Sequence, residues 1–157
     1  MHPLITPVLY AFQHGREDLA HHTHGLTTEQ IWAAPHGFAS IGFHIRHIAG
    51  STERLTTYLE GRELTPTQLL ALETESQPGT ATRDELLALL DASLRYAESV
   101  VRGIDPAILP DPRYVGRKKM PSTVIGLLTH IAEHTQRHVG QAITTAKWTT
   151  ATTVKRE

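Results

Sequence analysis

The histidines are the residues of this sequence whose number and spacing could do chemistry. The chain has 11 His and no Cys among 157 residues. Five of the His fall in two short segments, 43–48 and 130–138, and both segments have helical periodicity. Imidazole binds divalent transition metals, whereas the lack of Cys excludes disulfides, thiolate ligands and iron–sulfur clusters. The sequence therefore predicts a His-based metal site.

The second segment contains a pair of His with metal-binding spacing. His134 and His138 are four residues apart, which places them on one helical face with Cβ atoms about 5–6 Å apart. Two imidazoles at this spacing can bind one ion, as in zincin-type helices, although no Glu lies between this pair. His130 lies two four-residue steps before His138, and this spacing rotates its side chain away from the helical face of His138. A third ligand from another helix could be His44 or His47, and spacing does not choose between them.

Hydrophobic periodicity predicts the elements that must position these side chains. Four long helices are expected over residues 4–24, 40–60, 82–103 and 121–148. The residues from Thr27 to Gln30 have the pattern of a capping box that opens a short helix, and one helical turn is expected within the connection 61–81. No segment shows the alternation typical of a strand. We expect an all-α fold, a four-helix bundle with long crossover connections.

Two boundaries of the fourth helix are specific expectations. Pro121 is placed as its first residue, because proline is favoured at the first helical position. Residues 149–157 are polar and rich in Thr, and are expected to form a frayed C-terminal tail. The length fits one domain, which we place at residues 1–148.

Composition excludes several classes of function. Lys and Arg number 15 and Asp and Glu 16, which gives a formal net charge of −1. This charge, with no recognised DNA-binding motif, argues against nucleic acid as a partner. No signal peptide and no run of about 18 apolar residues is visible. We therefore expect a cytoplasmic protein that binds neither nucleic acid nor a membrane.

Two segments together resemble the DinB-like superfamily, which includes bacillithiol-S-transferases and mycothiol-dependent maleylpyruvate isomerases. Residues 40–51, SIGFHIRHIAGS, are similar to its helix-two motif, and residues 130–141, HIAEHTQRHVGQ, to its helix-four motif. Helix number and order also fit over most of the chain. The resemblance implies a four-helix bundle, often a homodimer, with a divalent metal site of three His.

The resemblance also implies which residues hold the metal. The ligands would be His47, His134 and His138, so the resemblance selects His47 where spacing left the choice open. The expected ion is Zn²⁺ or Ni²⁺, and Fe²⁺ is also compatible with imidazole ligands. The residues expected beside the ligands or in a substrate pocket are His44, His130 and Gln141. No catalytic residue is predicted.

Three neutral imidazoles leave a tetrahedral ion one open position, which is typical of a catalytic site. A thiol would bind there as thiolate, and a bound water would have its pKa lowered toward about 7. We therefore expect a metal-dependent enzyme, either a thiol-dependent S-transferase or a hydrolase that uses metal-bound water. Its expected partner is a small-molecule substrate, with a low-molecular-weight thiol as cosubstrate.

The alternative is a non-catalytic dimeric bundle that is stabilised by metal or senses a ligand, because no clear acid–base partner lies near the ligands in sequence. Glu53 and Glu133 are the candidate carboxylates for orienting the ligands. Arg46, Arg137 and the basic run 117–119 are candidate contacts for an anionic substrate. Each of these residues could equally lie on a solvated face.

Overall fold

The protein, seen here as a computed structural model, is described over residues 2–154, with side chains over residues 2–151. That part of the chain is mainly helical. Its helices are α1 (Thr6–His22), α2 (Thr28–Trp32), α3 (Ile41–Leu59), α4 (Pro66–Thr74), α5 (Arg83–Arg102) and α6 (Val124–Val154). Two strands, β1 (Pro112–Val115) and β2 (Met120–Thr123), form an antiparallel hairpin, and short 3₁₀ turns occur at Pro35–Gly37 and Pro106–Ile108. Within the described residues, no helix is both long and apolar enough to span a membrane.

Side-chain caps determine where several helices begin. The hydroxyl of Thr27 accepts a hydrogen bond from the backbone of Gln30, and the Gln30 side chain accepts one from the backbone of Thr27. The predicted capping box is therefore confirmed, and the same arrangement opens α4 and α5. Ser40 caps α3 in a similar way. These interactions span only three residues, so the local sequence is sufficient to specify them.

The four long helices form the predicted bundle around one apolar core. Helix α3 packs against both α5 and α6, and α1 also packs against both of them. Since α1 and α3 each lie against both α5 and α6 and not beside each other, they occupy opposite corners of the bundle, and the connection between them crosses its end. The core includes Phe12, Ile45, Leu94 and Leu128, which are fully buried. This arrangement confirms the all-α bundle with crossover connections.

Helices α3 and α6 are antiparallel, as their contacts show. The Thr145 hydroxyl donates to the carbonyl of Ala39 at 3.2 Å, just before α3 begins. Further along α3, His47 lies against His134, which is earlier in α6. The contacts therefore run in opposite directions along the two helices. This pairing brings together the two segments that contain the His clusters.

The connection between α5 and α6 contains a hairpin that no sequence pattern predicted. Pro121 lies in β2, so its placement as the first residue of the fourth helix is wrong. Each strand has four residues, which is too short for a recognisable alternation. The backbone has positive φ at Gly116 and Lys119 in the turn. Arg113 in β1 donates to the carbonyl of Leu59 at 2.7 Å, so the hairpin depends on contact with α3.

Helix α6 also ends later than predicted. It continues past Trp148 to Val154. The hydroxyl of Thr149 donates to the carbonyl of Thr145 at 2.9 Å, and the side chain is buried. Backbone carbonyls thus satisfy threonine hydroxyls on the helix itself. The division into one domain and a tail stays a prediction, and residues 155–157 lie outside the described residues.

Two glycines allow the ring of Trp32 to lie directly against the backbone. A Cβ atom at Gly42 would lie 2.8 Å from the indole ring, and one at Gly79 would lie 2.6 Å from it. The ring nitrogen donates to the carbonyl of Ala81 at 2.8 Å. Trp32 therefore joins α2, α3 and the segment before α5, and glycine is required where the backbone approaches the ring.

We expect Gly42→Ala to lower the free energy of unfolding by about 1–3 kcal/mol, because the added methyl group overpacks the Trp32 ring. Gly140 provides a matched control inside α6, since a Cβ atom there would meet nothing within 4 Å. Gly140→Ala should stabilise the helix by about 0.5–1 kcal/mol. Urea denaturation followed by circular dichroism measures both changes, and equal effects would contradict a steric constraint at Gly42.

Candidate metal centre

Three His side chains converge between α3 and α6. His47 comes from α3, and His134 and His138 come from successive turns of α6. One ring nitrogen of each lies within 4.8 Å of the others, and all three side chains are partly buried. The Nε2 atoms of His47 and His134 are 3.4 Å apart. The structure thus brings together the three His that the resemblance implied as ligands.

Each of these imidazoles has a polar partner at Nδ1. The three pairs are His47 with Glu75 Oε2 at 2.7 Å, His134 with Ser51 Oγ at 3.3 Å, and His138 with His44 Nδ1 at 3.1 Å. An ionised carboxylate can only accept, so the proton of neutral His47 lies on Nδ1. Its Nε2 atom is then left as an acceptor. Partners of this kind orient imidazole rings for metal binding.

The donor set fits a divalent transition metal. Imidazole nitrogens bind Zn²⁺ at about 2.0–2.1 Å, so two of them on a tetrahedral ion lie about 3.3 Å apart. The 3.4 Å between the Nε2 atoms of His47 and His134 matches that separation. Imidazole suits Zn²⁺, Ni²⁺ and Fe²⁺ alike, and the geometry does not identify the ion.

The electrostatics of the site keep three imidazoles, those of His44, His134 and His138, neutral. Burial is the largest cause and the charges of neighbouring imidazoles add to it, and together these effects lower the pKa of His44, His134 and His138 to about 4. Arg137 also lowers the pKa of the two α6 residues. Because a histidine must lose its proton to bind a metal, His134 and His138 are ready to act as ligands at neutral pH.

Glu75 is the carboxylate that contacts a candidate ligand, and sequence reasoning missed it. Arg54 Nη2 lies 3.0 Å and 3.1 Å from its two oxygens, and both residues are 7% exposed. Burial by itself raises the pKa of Glu75, but the hydrogen bond from His47 and the charge of Arg54 outweigh it, so the pKa is lowered. Glu75 is therefore an ionised acceptor for His47.

The carboxylates that were considered from sequence lie elsewhere. Glu53 accepts a hydrogen bond from Gln68, and Glu133 is exposed and paired with Arg137. Glu75 follows α4, 28 residues after His47, and no pattern in the connection links the two. Its position depends on how the connection packs, which local spacing does not reveal.

Gly50 offers the one sequence signal near this contact. A Cβ atom there would lie 2.7 Å from both Arg54 Nη1 and Glu75 Oε1. A glycine inside a helix is unfavourable, so its presence in the His segment indicates that another group approaches closely. That group is the Arg54–Glu75 ion pair, which passes over the backbone at Gly50.

The remaining predicted site residues lie at different distances from the cluster. His44 is buried and contacts His138 directly. His130 is exposed, with Nδ1 3.1 Å from Glu133, and its ring centroid is 5.7 Å from that of His134. Gln141 is exposed and lines a groove of about 380 Å³, to which His44 also contributes.

Comparison with known proteins places the chain in a family. A model of the DinB superfamily matches residues 11–142, so the chain belongs to that superfamily. A crystal structure of a conserved protein from Enterococcus faecalis has the same fold, with a TM-score of 0.74. The two sequences are 17% identical, and the alignment covers 96% of this chain and 99% of that one. No curated protein is significantly similar to this chain in sequence.

We expect His47→Ala, His134→Ala or His138→Ala to abolish stoichiometric metal binding, because each removes one of three converging donors. The loss of metal affinity should exceed roughly 10–100-fold, which is the typical contribution of residues that orient metal ligands without binding the ion. Titration of Zn²⁺ against a competing chelator measures the affinity. His130→Ala is the control on the same helix and should keep wild-type affinity, whereas an equal loss would place the site elsewhere.

The lowered pKa values predict that the metal-free protein loses stability in acid. An unfolded histidine has a pKa of about 6.5. Since the folded values at His44, His134 and His138 are about 4, the unfolded chain binds more protons between pH 6.5 and 4. These groups therefore contribute stability above pH 6.5 that is lost as the pH falls through this window.

Melting temperatures measured in EDTA from pH 7 to pH 5 test this expectation. The double variant His134→Asn with His138→Asn should show a shallower decline than the wild type. The double variant His21→Asn with His22→Asn, at the end of α1, should keep the full decline because the buried imidazoles are intact. Identical slopes in all three proteins would contradict the prediction.

Proposed function

We propose that this DinB-superfamily chain binds a divalent transition metal through His47, His134 and His138 and acts as a metal-dependent enzyme. The observation that supports the proposal most is the approach of three ring nitrogens within 4.8 Å. The polar partner at each Nδ1 atom supports it further, and the Nε2 atoms of His47 and His134 face each other at 3.4 Å. Zn²⁺ or Ni²⁺ is the proposed ion, and Fe²⁺ is also compatible with these ligands.

The proposed reaction is the transfer of a small-molecule thiol to an electrophile. The alternative reaction for such an enzyme is hydrolysis. A divalent ion held by three imidazoles supplies a Lewis acid with an open position, which lowers the pKa of a thiol or water bound there. The side chains of Glu75, Ser51 and His44 orient the three rings. Because the chain has no Cys, the thiol must come from a cosubstrate.

A groove beside the cluster supports a small-molecule substrate. Its volume is about 380 Å³, which is in the range of small-ligand sites. His44 and Arg137, which flank the cluster, contribute to it together with Phe38, Gln141 and Thr144. The exposed ring of Phe38 provides an apolar surface for the body of a substrate.

One observation favours the alternative, a non-catalytic bundle that is stabilised by metal or senses a ligand. Glu75, the carboxylate that touches a candidate ligand, is bonded by Arg54 at both oxygens and by His47 at one. It is therefore not free to move a proton during a reaction. Both proposals retain the homodimer that the resemblance implies.

The deciding experiment starts from protein purified without a metal-affinity column. We expect one divalent ion per chain by elemental analysis. Zn²⁺ or Ni²⁺ at 100 times its dissociation constant should stabilise the metal-free protein by about 2.7 kcal/mol, which corresponds to a rise in melting temperature of roughly 5–10 °C. Protein with no stoichiometric metal and no response to either ion would refute the proposal.

Turnover assays then separate the two functions. A panel of low-molecular-weight thiols with electrophiles, and a second panel of esters, should show activity that His134→Ala abolishes. His130→Ala is the matched control and should retain the activity. Metal binding without turnover in either panel would favour the non-catalytic bundle.

A further inference from the structure

Glu75 reaches His47 although its own helix provides little anchorage. Helix α4 buries one side chain, that of Gln68, and exposes its Leu70 and Leu72 side chains by 62% and 42%. The 75–81 segment follows this helix and leads to α5. Arg54 holds the carboxylate of Glu75. Because α4 has so little packing, the backbone at Glu75 depends in addition on contacts of the 75–81 segment.

Arg46 makes the first of these contacts. It precedes His47 on α3, and its Nη2 atom donates to the backbone carbonyls of Glu75 and Gln77. The guanidinium group thus holds the backbone of the segment at the residue whose carboxylate bonds His47. Although Arg46 was considered as a contact for an anionic substrate, this donor is directed at the backbone of the protein.

Trp32 makes the second contact. Its ring nitrogen donates to the carbonyl of Ala81 at 2.8 Å, and its ring lies against Gly79. The guanidinium carbon of Arg46 lies 4.9 Å from the centroid of the same ring. An Arg over an indole ring is an attractive arrangement, so the two side chains support each other while they hold opposite ends of the segment.

We propose that Arg46 and Trp32 are positioning residues for the candidate metal centre. They hold the 75–81 segment so that Glu75 keeps the His47 proton on Nδ1 and leaves Nε2 as the donor to a metal. Neither residue touches the three candidate ligands through these bonds, so each acts through Glu75. The inference rests on the proposed metal binding, since metal affinity is one of its two readouts.

The first readout is Zn²⁺ affinity, measured by chelator competition. We expect Arg46→Met and Trp32→Phe to weaken binding by about tenfold, within the 10–100-fold range known for residues that orient metal ligands. Trp148→Phe and Arg95→Met are the matched controls. Trp148 contacts His36, and Arg95 pairs with Asp91 on the surface of α5. Both controls should keep wild-type affinity.

A double-mutant cycle separates action through Glu75 from a general loss of structure. If Arg46 acts through Glu75, adding Arg46→Met to Glu75→Ala causes no further loss of affinity. Losses that multiply would overturn the inference, as would wild-type affinity in both Arg46→Met and Trp32→Phe. Glu75→Gln and Arg46→Lys replace their counterparts in the cycle if either of the larger changes prevents folding.

The second readout needs no metal. In the metal-free protein, ¹⁵N NMR of the histidine rings reports which nitrogen of His47 is protonated. We expect the proton on Nδ1 in the wild type and a larger share on Nε2 in Arg46→Met and Trp32→Phe. An unchanged tautomer in both variants would overturn the inference. A wild-type protein that binds neither Zn²⁺ nor Ni²⁺ would instead refute the proposed function, while this readout would still test the positioning role.

Discussion

The antiparallel packing of α3 against α6 is the constraint on which the candidate metal centre depends. It pairs His44 with His138 and His47 with His134, so two clusters that are about 90 residues apart in sequence form one site. A shift of one helical turn would separate these pairs. Burial and mutual repulsion then keep His44, His134 and His138 neutral, and neutral imidazoles are the form that binds metals. The packing of the bundle thus sets both the geometry and the protonation state of the site.

A second layer of contacts orients the ligand on α3. Arg54 and Glu75 form a buried ion pair over Gly50, and Glu75 accepts a hydrogen bond from Nδ1 of His47. Removing charges from water is costly, and buried ion pairs are often no more stabilising than apolar residues of similar size. Stability alone is therefore a weak reason for this pair. Orientation of an imidazole requires a fixed acceptor, and the ion pair supplies one.

The framework of the protein is that of its superfamily. Membership of the DinB superfamily and the shared fold with the Enterococcus faecalis protein describe the framework. The proposed substrate groove lies beside His44, and its other walls come from α6 and from the residues that precede α3. The residues that line the groove are not the three candidate ligands, so the groove can differ between proteins that share this arrangement of His.

The sequence by itself determined the features that arise within a few residues. The capping box at Thr27, the starts of α3 and α5, and the shared face of His134 and His138 all depend on interactions between residues three or four apart. Spacing left His44 and His47 as alternatives, and the resemblance to a family selected His47. In the structure His47 lies in the cluster with His134 and His138, and His44 lies behind His138.

Only the tertiary structure decided the contacts between distant segments. Glu75 meets His47 across 28 residues, and the hairpin before α6 is held against the end of α3 by Arg113. Neither contact leaves a local periodic pattern, because the short strands and the connection after α4 take their positions from the bundle they pack against. Gly50 indicates from the sequence that another group approaches the helix closely, but it does not identify that group. The packing of the whole bundle determines which group approaches Gly50.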